Sequence, residues 1–146
     1  MEQGKGDTLD VSSLSKFITC DDFSGLFFDF YNVKQIIGLE KWDVSKVINM
    51  DYMFSDCKSL TELDLSNWDV SKVTNMNGMF SDCKSLTELD LSNWDVSKVT
   101  DMNFMFYFCR NLTELNISNW DVSNVTNLQC MFYGCNKLIK PKWYNE

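Results

Sequence analysis

Residues 53–76 read Met-Phe-Ser-Asp-Cys-Lys-Ser-Leu-Thr-Glu-Leu-Asp-Leu-Ser-Asn-Trp-Asp-Val-Ser-Lys-Val-Thr-Asn-Met, and residues 79–102 repeat that text with a single residue changed. Two looser copies begin at Met105 and Met131. Self-similarity at a fixed period of about 20 to 50 residues is typical of proteins whose units stack on one another, because one unit is too small to bury its own apolar side chains. The repeat therefore predicts a solenoid.

Length, apolar content and charge narrow the class of protein. The chain has 146 residues, 45% of them hydrophobic, which fits one folded domain. Its 13 basic and 21 acidic residues give a net charge of -8, so the phosphates of nucleic acid or of an anionic membrane would be repelled. We therefore expect a protein partner with a basic surface, and no direct binding to nucleic acid or membrane.

No segment of the sequence has the pattern of a leader or a membrane span. The N-terminus contains no apolar run, and nowhere do roughly 18 apolar residues follow one another. We expect a soluble cytoplasmic protein, with the cell surface as the alternative if a leader was removed.

Four of the six cysteines occupy one position of the repeat. They are Cys57, Cys83, Cys109 and Cys135. A residue that recurs once per unit is typical of the core, where a free thiol packs as a small hydrophobe. Disulfides are the less favoured alternative, and a metal site is less favoured still because the chain has no histidine and no Cys-x-x-Cys pair. We expect reduced core thiols, no metal and no cofactor.

Two periodicities alternate within each repeat. Leu60, Leu63 and Leu65 have the Leu-x-x-Leu-x-Leu spacing of a short strand with an apolar inner face. Trp68 follows, and its regular recurrence predicts indoles stacked in the core. Residues 76–83 then place apolar side chains at i, i+3, i+4 and i+7, which predicts a helix of two turns capped by the preceding Asn or Asp.

Together these elements predict an α/β solenoid, in the form of a leucine-rich-repeat arc. About five strands would form a concave parallel sheet and the short helices a convex layer, because strands stack more closely than helices do. We divide the chain into an N-terminal cap with a degenerate repeat, residues 1–41, and the leucine-rich repeats with a C-terminal edge, residues 42–146. The two parts make one domain overall.

Both ends of the chain are predicted to depart from the repeat. Residues 1–15 are polar and are expected to be loosely packed. Sliding the cap by the same 26-residue period places Phe28 under Phe54. At the other end, residues 138–143 would form the last strand, with Pro141 protecting its edge from further strand addition.

The motif Met-Phe-x-x-Cys-x-x-Leu-Thr-x-Leu-Asp-Leu-Ser-Asn-Trp-Asp-Val-Ser-Lys-Val-Thr-Asn-Met recurs over residues 42–138. It closely resembles the repeat of BspA-like leucine-rich-repeat proteins, a bacterial and microbial-eukaryote group mostly described as surface proteins. The resemblance implies the leucine-rich-repeat fold and a role in binding proteins or host matrix. It implies no catalytic residues.

The residue types present disfavour an enzyme. The chain has no histidine, so a Ser or Cys nucleophile activated by histidine is not possible. No Gly-rich phosphate loop follows a predicted strand. Carboxylates are plentiful, but in a repeat they recur as ladders and do not converge on a cleft. We predict a non-catalytic protein.

The first candidate surface is the concave acidic face, made of the strand residues that lie between the inward leucines. They are Glu62, Asp64, Glu88, Asp90, Glu114 and Asn116. Like charges on neighbouring strands cost a few tenths to about 1 kcal/mol per pair, which a cationic partner would relieve. The alternatives are a solvated face copied by duplication and, less favoured, a calcium site.

The second candidate surface is an aromatic patch where the third repeat departs from the pattern. Its members are Phe104, Tyr107, Phe108 and Tyr133. The first three replace Gly78, Ser81 and Asp82 of the copy before, so duplication does not explain them. We predict contact with a partner or with a second copy in a homodimer. The alternative is that the N- or C-terminal segment, for example Trp143 and Tyr144, folds back over the patch.

These features predict a non-catalytic protein-protein interaction module. The favoured hypothesis is an intracellular inhibitor that masks a basic, nucleic-acid-binding surface, comparable to a phage anti-defence (anti-CRISPR-like) protein. Size and acidic charge support it. The alternative is a BspA-like bacterial surface adhesin or a fragment of one.

Overall fold

The computed structural model describes residues 7–17 and 20–145, and tight turns make up most of this chain. The strands are β1 (Thr8–Asp10), β2 (Gln35–Ile37), β3 (Glu88–Asp90) and β4 (Glu114–Asn116). Two 3₁₀ helices cover Ser12–Phe17 and Leu39–Lys41. Within these described ranges no helix has the length and apolar character that crossing a bilayer requires.

The predicted α/β solenoid with a leucine-rich-repeat arc is wrong. The described residues contain no α-helix, so there is no convex helical layer among them. The strands form two separate two-stranded parallel sheets, β1 with β2 and β3 with β4, and not one concave sheet of five strands. Between the two sheets the second repeat contributes an isolated bridge from Glu62 to Gln35.

Residues 76–83, predicted as a helix, form consecutive tight turns. Every second backbone N–H donates to the carbonyl three residues earlier, as from Met79 to Met76. The N–H groups in between donate to carbonyls of the next repeat, at 2.7–2.9 Å. Positive φ at Gly78 (61°) and Asp82 (59°) puts both residues in the left-handed region, which a right-handed helix excludes. The backbone is therefore satisfied partly by its own turns and partly by the neighbouring repeat.

The residues predicted to cap the helices begin these turns instead. Asn75 Oδ1 accepts the N–H of Asn77 at 2.9 Å, and Asn49 and Asp101 make the same contact in their repeats. Such an Asx turn suits the same residue types as a helix cap, because both need a side-chain oxygen close to a following N–H.

The core consists of columns of equivalent side chains from successive repeats. Phe54, Phe80, Phe106 and Phe132 stack with ring centroids 5.4–5.7 Å apart, and Phe27 continues the column at 5.3 Å. Burying one such side chain stabilises the fold by about 1.5–3 kcal/mol. The residues predicted to face inward from segment 76–83 are all 0% exposed, so their burial is confirmed although the helix is not.

The tryptophans form a second column beside the phenylalanines. Trp68 and Trp94 are each 3% exposed, which confirms that they belong to the core. Trp94 Nε1 donates to the carbonyl of Leu65 at 3.0 Å, and Trp68 Nε1 to that of Leu39 at 2.9 Å. Each indole thereby ties one repeat to the repeat before it, as a second donor to a carbonyl that already accepts a backbone N–H, such as that of Trp68 to Leu65.

The N-terminal unit is one residue longer than the inner repeats, so the predicted alignment of the cap is wrong by one residue. The parallel bridges Asp22–Asn49 and Gln35–Glu62 both span 27 residues. Phe27, and not Phe28, therefore stacks on Phe54, and the two neighbours are 4% and 51% exposed respectively.

The start of the described chain is better packed than predicted. Residues 8–10 form β1, whose Leu9 lies opposite Ile36 of β2. Val11 is 2% exposed, and its carbonyl accepts the indole N–H of Trp42 at 3.0 Å. This segment closes the N-terminal end of the core.

The C-terminal segment closes the other end, but not as the predicted strand. Trp143 stacks on Trp120 at 6.5 Å and donates Nε1–H to the carbonyl of Ile117 at 3.1 Å. Tyr144 packs edge-on against Phe132 at 4.8 Å. Side chains, and not backbone pairing, thus cover the last repeat.

Candidate protein-binding surfaces

The six residues predicted for the acidic face all line one open groove of about 730 Å³. Strands β3 and β4 bring four of them together, because Glu88 lies opposite Glu114 and Asp90 opposite Asn116 in the parallel register. The groove also contains Leu63 and Leu89, and it ends at Gln35 and Ile37 of β2. The sequence placed these residues on one surface correctly, although the sheet is shorter than predicted. Their role in binding stays a prediction.

Three glutamates form an exposed row along the groove. Glu88 and Glu114 lie opposite each other on β3 and β4, at the spacing of about 4.8 Å between neighbouring strands, and Glu62 of the preceding repeat lines the same groove. No lysine or arginine of the described chain lies within ion-pair distance of these carboxylates; the ion pairs join Lys34 to Asp7 and Lys58 to Asp56. The row therefore presents negative charge to solvent.

The aspartates of the groove have a different task. Asp64 Oδ1 accepts the N–H of Ser66 at 3.1 Å and its hydroxyl at 2.6 Å, and Asp90 is held in the same way by Ser92. These hydrogen bonds hold the pKa of both aspartates below the usual value, and the bond from the serine hydroxyl has the larger effect. Both side chains stay charged, but one oxygen of each is committed to shaping the turn.

A second acidic row lies outside the groove, and the sequence analysis missed it. Its members are Asp43, Asp69, Asp95 and Asp121. Each accepts the N–H of the serine two residues later at 3.0 Å. The signal was present, since Asp-Val-Ser recurs in every repeat and Asp-x-Ser is the spacing of an Asx turn.

The four residues of the aromatic patch lie in mutual contact. Tyr107 stacks on Tyr133 at 5.6 Å and meets Phe108 edge-on at 4.4 Å and Phe104 edge-on at 5.3 Å. The guanidinium of Arg110 lies 4.9 Å from the centroid of the Phe108 ring. Tyr133 is the most exposed member, at 59%. The sequence therefore identified a contiguous aromatic cluster.

The alternative for this patch is wrong for the C-terminal segment, and residues 1–6 of the N-terminal segment lie outside the described residues. The terminal aromatic residues do not lie over it, because Trp143 and Tyr144 pack on Trp120 and Phe132 of the core.

Two members of the patch have an unfavourable backbone conformation. Phe104 and Phe108 have φ of 57° and 55°, where most side chains cost about 1–2 kcal/mol. The preceding repeat has Gly78 and Asp82 at these positions, which tolerate left-handed backbone better, and the repeat before it has Tyr52 (φ 53°) and Asp56 (φ 60°). A bulky residue that persists at a strained position indicates a role for its side chain.

The repeated cysteines are structural. All four are buried and free, and Cys83 donates its S–H to the carbonyl of Phe54 at 3.2 Å. Burial raises the pKa of the Cys57 thiol to about 12, so it is a poor nucleophile at neutral pH. The structure places them in the core, as predicted.

One row of polar atoms is buried without a partner. Asp51, Asn77 and Asn103 each have a side-chain Oδ1 with no hydrogen bond from the described residues. Burial raises the pKa of Asp51, and the nearby charges of Asp101 and Asp22 raise it further. Across residues 7–17 and 20–145, no group of three or more His, Cys, Asp or Glu side chains is placed to hold a metal ion.

Comparison with known proteins gives one match. Residues 21–143 match the family model described as "Mycoplasma protein of unknown function, DUF285". No curated protein and no solved structure matches the chain. The description of the matching family does not mention leucine-rich repeats, and the resemblance to BspA-like proteins stays a prediction.

Proposed function

The chain belongs to the DUF285 family, and we propose that it is a non-catalytic protein-binding module whose acidic groove holds a lysine- and arginine-rich segment of a partner protein. One observation carries this proposal. The row of Glu62, Glu88 and Glu114 lines a groove of about 730 Å³ and has no ion-pair partner among the residues that the structure describes.

The groove suits a cationic chain for two physical reasons. Like charges on neighbouring strands repel by a few tenths to about 1 kcal/mol per pair, and bound cations would remove that repulsion. The groove is open and lined by carboxylates from successive repeats, so an extended segment could place several cations along it at once. One exposed ion pair contributes only about 0.2–1 kcal/mol, so affinity depends on several glutamates acting together.

Two kinds of protein could use the groove in this way, an inhibitor and a surface adhesin. The favoured partner is a protein with a basic, nucleic-acid-binding surface, which the chain would mask as an inhibitor; its net charge of -8 supports rapid capture of such a surface. A surface adhesin is the alternative, and it would use the same groove on a basic segment of a host protein.

The test compares two charge-matched triple variants. Glu62→Gln, Glu88→Gln and Glu114→Gln remove the groove row, while Asp69→Asn, Asp95→Asn and Asp121→Asn remove the same charge outside the groove. The probe is a fluorescein-labelled peptide of alternating lysine and alanine, and its binding is followed by fluorescence anisotropy at several salt concentrations. We expect the groove triple to weaken binding by about tenfold or more at low salt and the control triple by about twofold or less.

Equal weakening by the two triples would show that the peptide responds to net charge alone, and the proposal would then be wrong. Unchanged thermal melting of both triples shows that the comparison concerns binding and not folding.

A further inference from the structure

The two ends of the chain expose an aromatic side chain at the same position of the repeat. Phe28 is 51% exposed at the N-terminal end and Tyr133 is 59% exposed at the C-terminal end. The N–H of each donates to the carbonyl three residues earlier, to Gly25 at 3.0 Å and to Cys130 at 3.2 Å. They are therefore the first and last members of one row. The row is Phe28, Ser55, Ser81, Tyr107 and Tyr133.

Aromatic neighbours in this row stack within the chain. The rings of Tyr107 and Tyr133 lie 5.6 Å apart with an interplanar angle of 17°. Tyr133 thus has one partner in its row, on the side of the preceding repeat, and it remains largely exposed.

Further exposed apolar side chains surround these two residues. Beside Phe28, the N-terminal end exposes Leu26, Phe30 and Tyr31 by 44%, 40% and 55%. A hollow of about 370 Å³ there is lined by Leu9, Phe30, Tyr31 and Val33, with Asp29 and Asn32 at its rim. At the C-terminal end Ile139 is 93% exposed. One end therefore offers an apolar hollow and the other an apolar projection.

The charges of the two ends are complementary. Asp21, Asp22 and Asp29 are exposed near the N-terminal end. Between Asp121 and Glu146 the sequence contains three lysines and no acidic residue. The lysines are Lys137, Lys140 and Lys142. The C-terminal end thus carries local positive charge on a protein whose net charge is -8.

We propose that the N-terminal end of one copy docks on the C-terminal end of another. Phe28 then packs against the exposed part of Tyr133, beside the terminal segment whose Tyr144 covers Phe132. Ile139 enters the hollow at Phe30 and Tyr31, and the lysines face the aspartates. The contact joins two different surfaces, so it does not end in a symmetric dimer and, continued along the stack of repeats, produces linear arrays. We expect weak association, because few apolar side chains of each end take part.

The assembly goes beyond the proposed function and does not depend on the groove. It would place the acidic grooves of successive copies in a line, which favours binding to partners with several basic segments.

Sedimentation velocity tests the proposal on the full chain and two double variants. The head variant carries Phe28→Asp and Tyr31→Asp, and the tail variant carries Tyr133→Asp and Ile139→Asp. We expect the average sedimentation coefficient of the wild type to rise between about 10 µM and 1 mM without reaching a plateau. Each variant alone should stay monomeric. An equal mixture should form a heterodimer and nothing larger, because it contains one intact end of each kind.

A control variant adds the same charge elsewhere. Ile48→Asp with Thr100→Asp lies outside both ends, and it should associate as the wild type does. Near-ultraviolet circular dichroism of the tryptophans verifies that each variant is folded.

Three results would overturn the proposal. A wild type that remains monomeric at the highest concentration excludes the contact, and a mixture without heterodimer excludes the pairing of different ends. If the head variant alone still dimerises, the contact is symmetric and lies on the aromatic patch.

Discussion

The inner repeats and the two end units use one repeat position in opposite ways. Ser55 and Ser81 are 3% and 8% exposed between their neighbours, whereas Phe28 and Tyr133 at the ends are 51% and 59% exposed. The two serines are covered by repeats on both sides, and Tyr107, which also lies between two repeats, stacks its ring on Tyr133. Phe28 and Tyr133 nevertheless leave about half or more of their surface in contact with solvent.

The most direct way to sharpen this contrast is to remove one ring from the middle and one from the end of the phenylalanine column. Phe80 has stacked rings on both sides, Phe54 at 5.7 Å and Phe106 at 5.4 Å. We expect Phe80→Ala to lower the free energy of unfolding by about 3–5 kcal/mol, because the rigid neighbours leave a cavity. Urea denaturation followed by tryptophan fluorescence measures the loss.

The matched variant at the end is Phe132→Ala. Phe132 has Phe106 on one side and the edge of Tyr144 on the other. Since Tyr144 belongs to the last segment and has room to move, we expect a smaller loss than for Phe80→Ala. Equal losses would show that the end of the column is packed as rigidly as its middle.

The sequence predicted which residues are buried better than it predicted the conformation of the backbone. The buried residues of segment 76–83 were predicted correctly, because the spacing of apolar residues indicates which side chains face the core whatever the backbone conformation. The helix was wrong because three successive turns, closed by the N–H groups of Met79, Ser81 and Cys83, also bury positions i, i+3, i+4 and i+7. The distinguishing signal is local: the positive φ of Gly78 and Asp82 belongs to residue types that tolerate left-handed backbone.

The sequence also did not predict the hydrogen bonds and the register between repeats. The indole N–H of Trp94 donates to the carbonyl of Leu65 across the repeat boundary, and no pattern within one repeat specifies that bond. The one-residue error in the alignment of Phe27 with Phe54 has a similar origin, because the 27-residue spacing of the first unit is fixed by its bridges to the second. The candidate surfaces were easier to predict, because charge and aromatic side chains recur at fixed positions such as Glu62 and Tyr107.

Alanine substitutions at Gly78 and Gly25 compare the packing around an inner repeat with that around the first unit. Gly78 and Gly25 have φ of 61° and 63°, so alanine is strained at both by about 1–2 kcal/mol. At Gly78 a Cβ would also collide with the ring of Tyr52, whereas at Gly25 it would meet only Phe28 Cβ at 3.8 Å. We expect Gly78→Ala to lower the melting temperature more than Gly25→Ala does.

The double variant Tyr52→Ala, Gly78→Ala identifies the cause. Compared with Tyr52→Ala alone, it should lose no more stability than Gly25→Ala costs. A larger loss would place the strain in the backbone and not in the ring contact.

The smallest expected effect on stability is that of Asp51, an acidic residue at a repeat position where the next two repeats have asparagine. Asp51 occupies the position of Asn77 and Asn103, and burial raises its pKa above the usual 3.8. A raised pKa in the folded state means that stability is fully present below the unfolded pKa and is lost as pH rises through the folded value. We expect Asp51→Asn to melt at a higher temperature than the wild type at pH 7.

The pH profile separates charge from shape. The difference in melting temperature should shrink as the pH falls through the folded pKa of Asp51 and disappear well below 3.8, where Asp51 is neutral in both states. A difference that stays constant with pH would mean that the burial of its charge has no influence on stability.

The near-identity of residues 53–76 and 79–102 also has a genetic consequence. Phe54 N–H donates to Met79 and Phe80 N–H to Met105, both at 2.9 Å, so the junctions before and after the second copy are built alike. Unequal recombination between the two matching stretches would add or delete one whole unit in frame. The protein would keep its two capped ends and its unchanged junctions, while the number of glutamates in the groove would rise or fall by one.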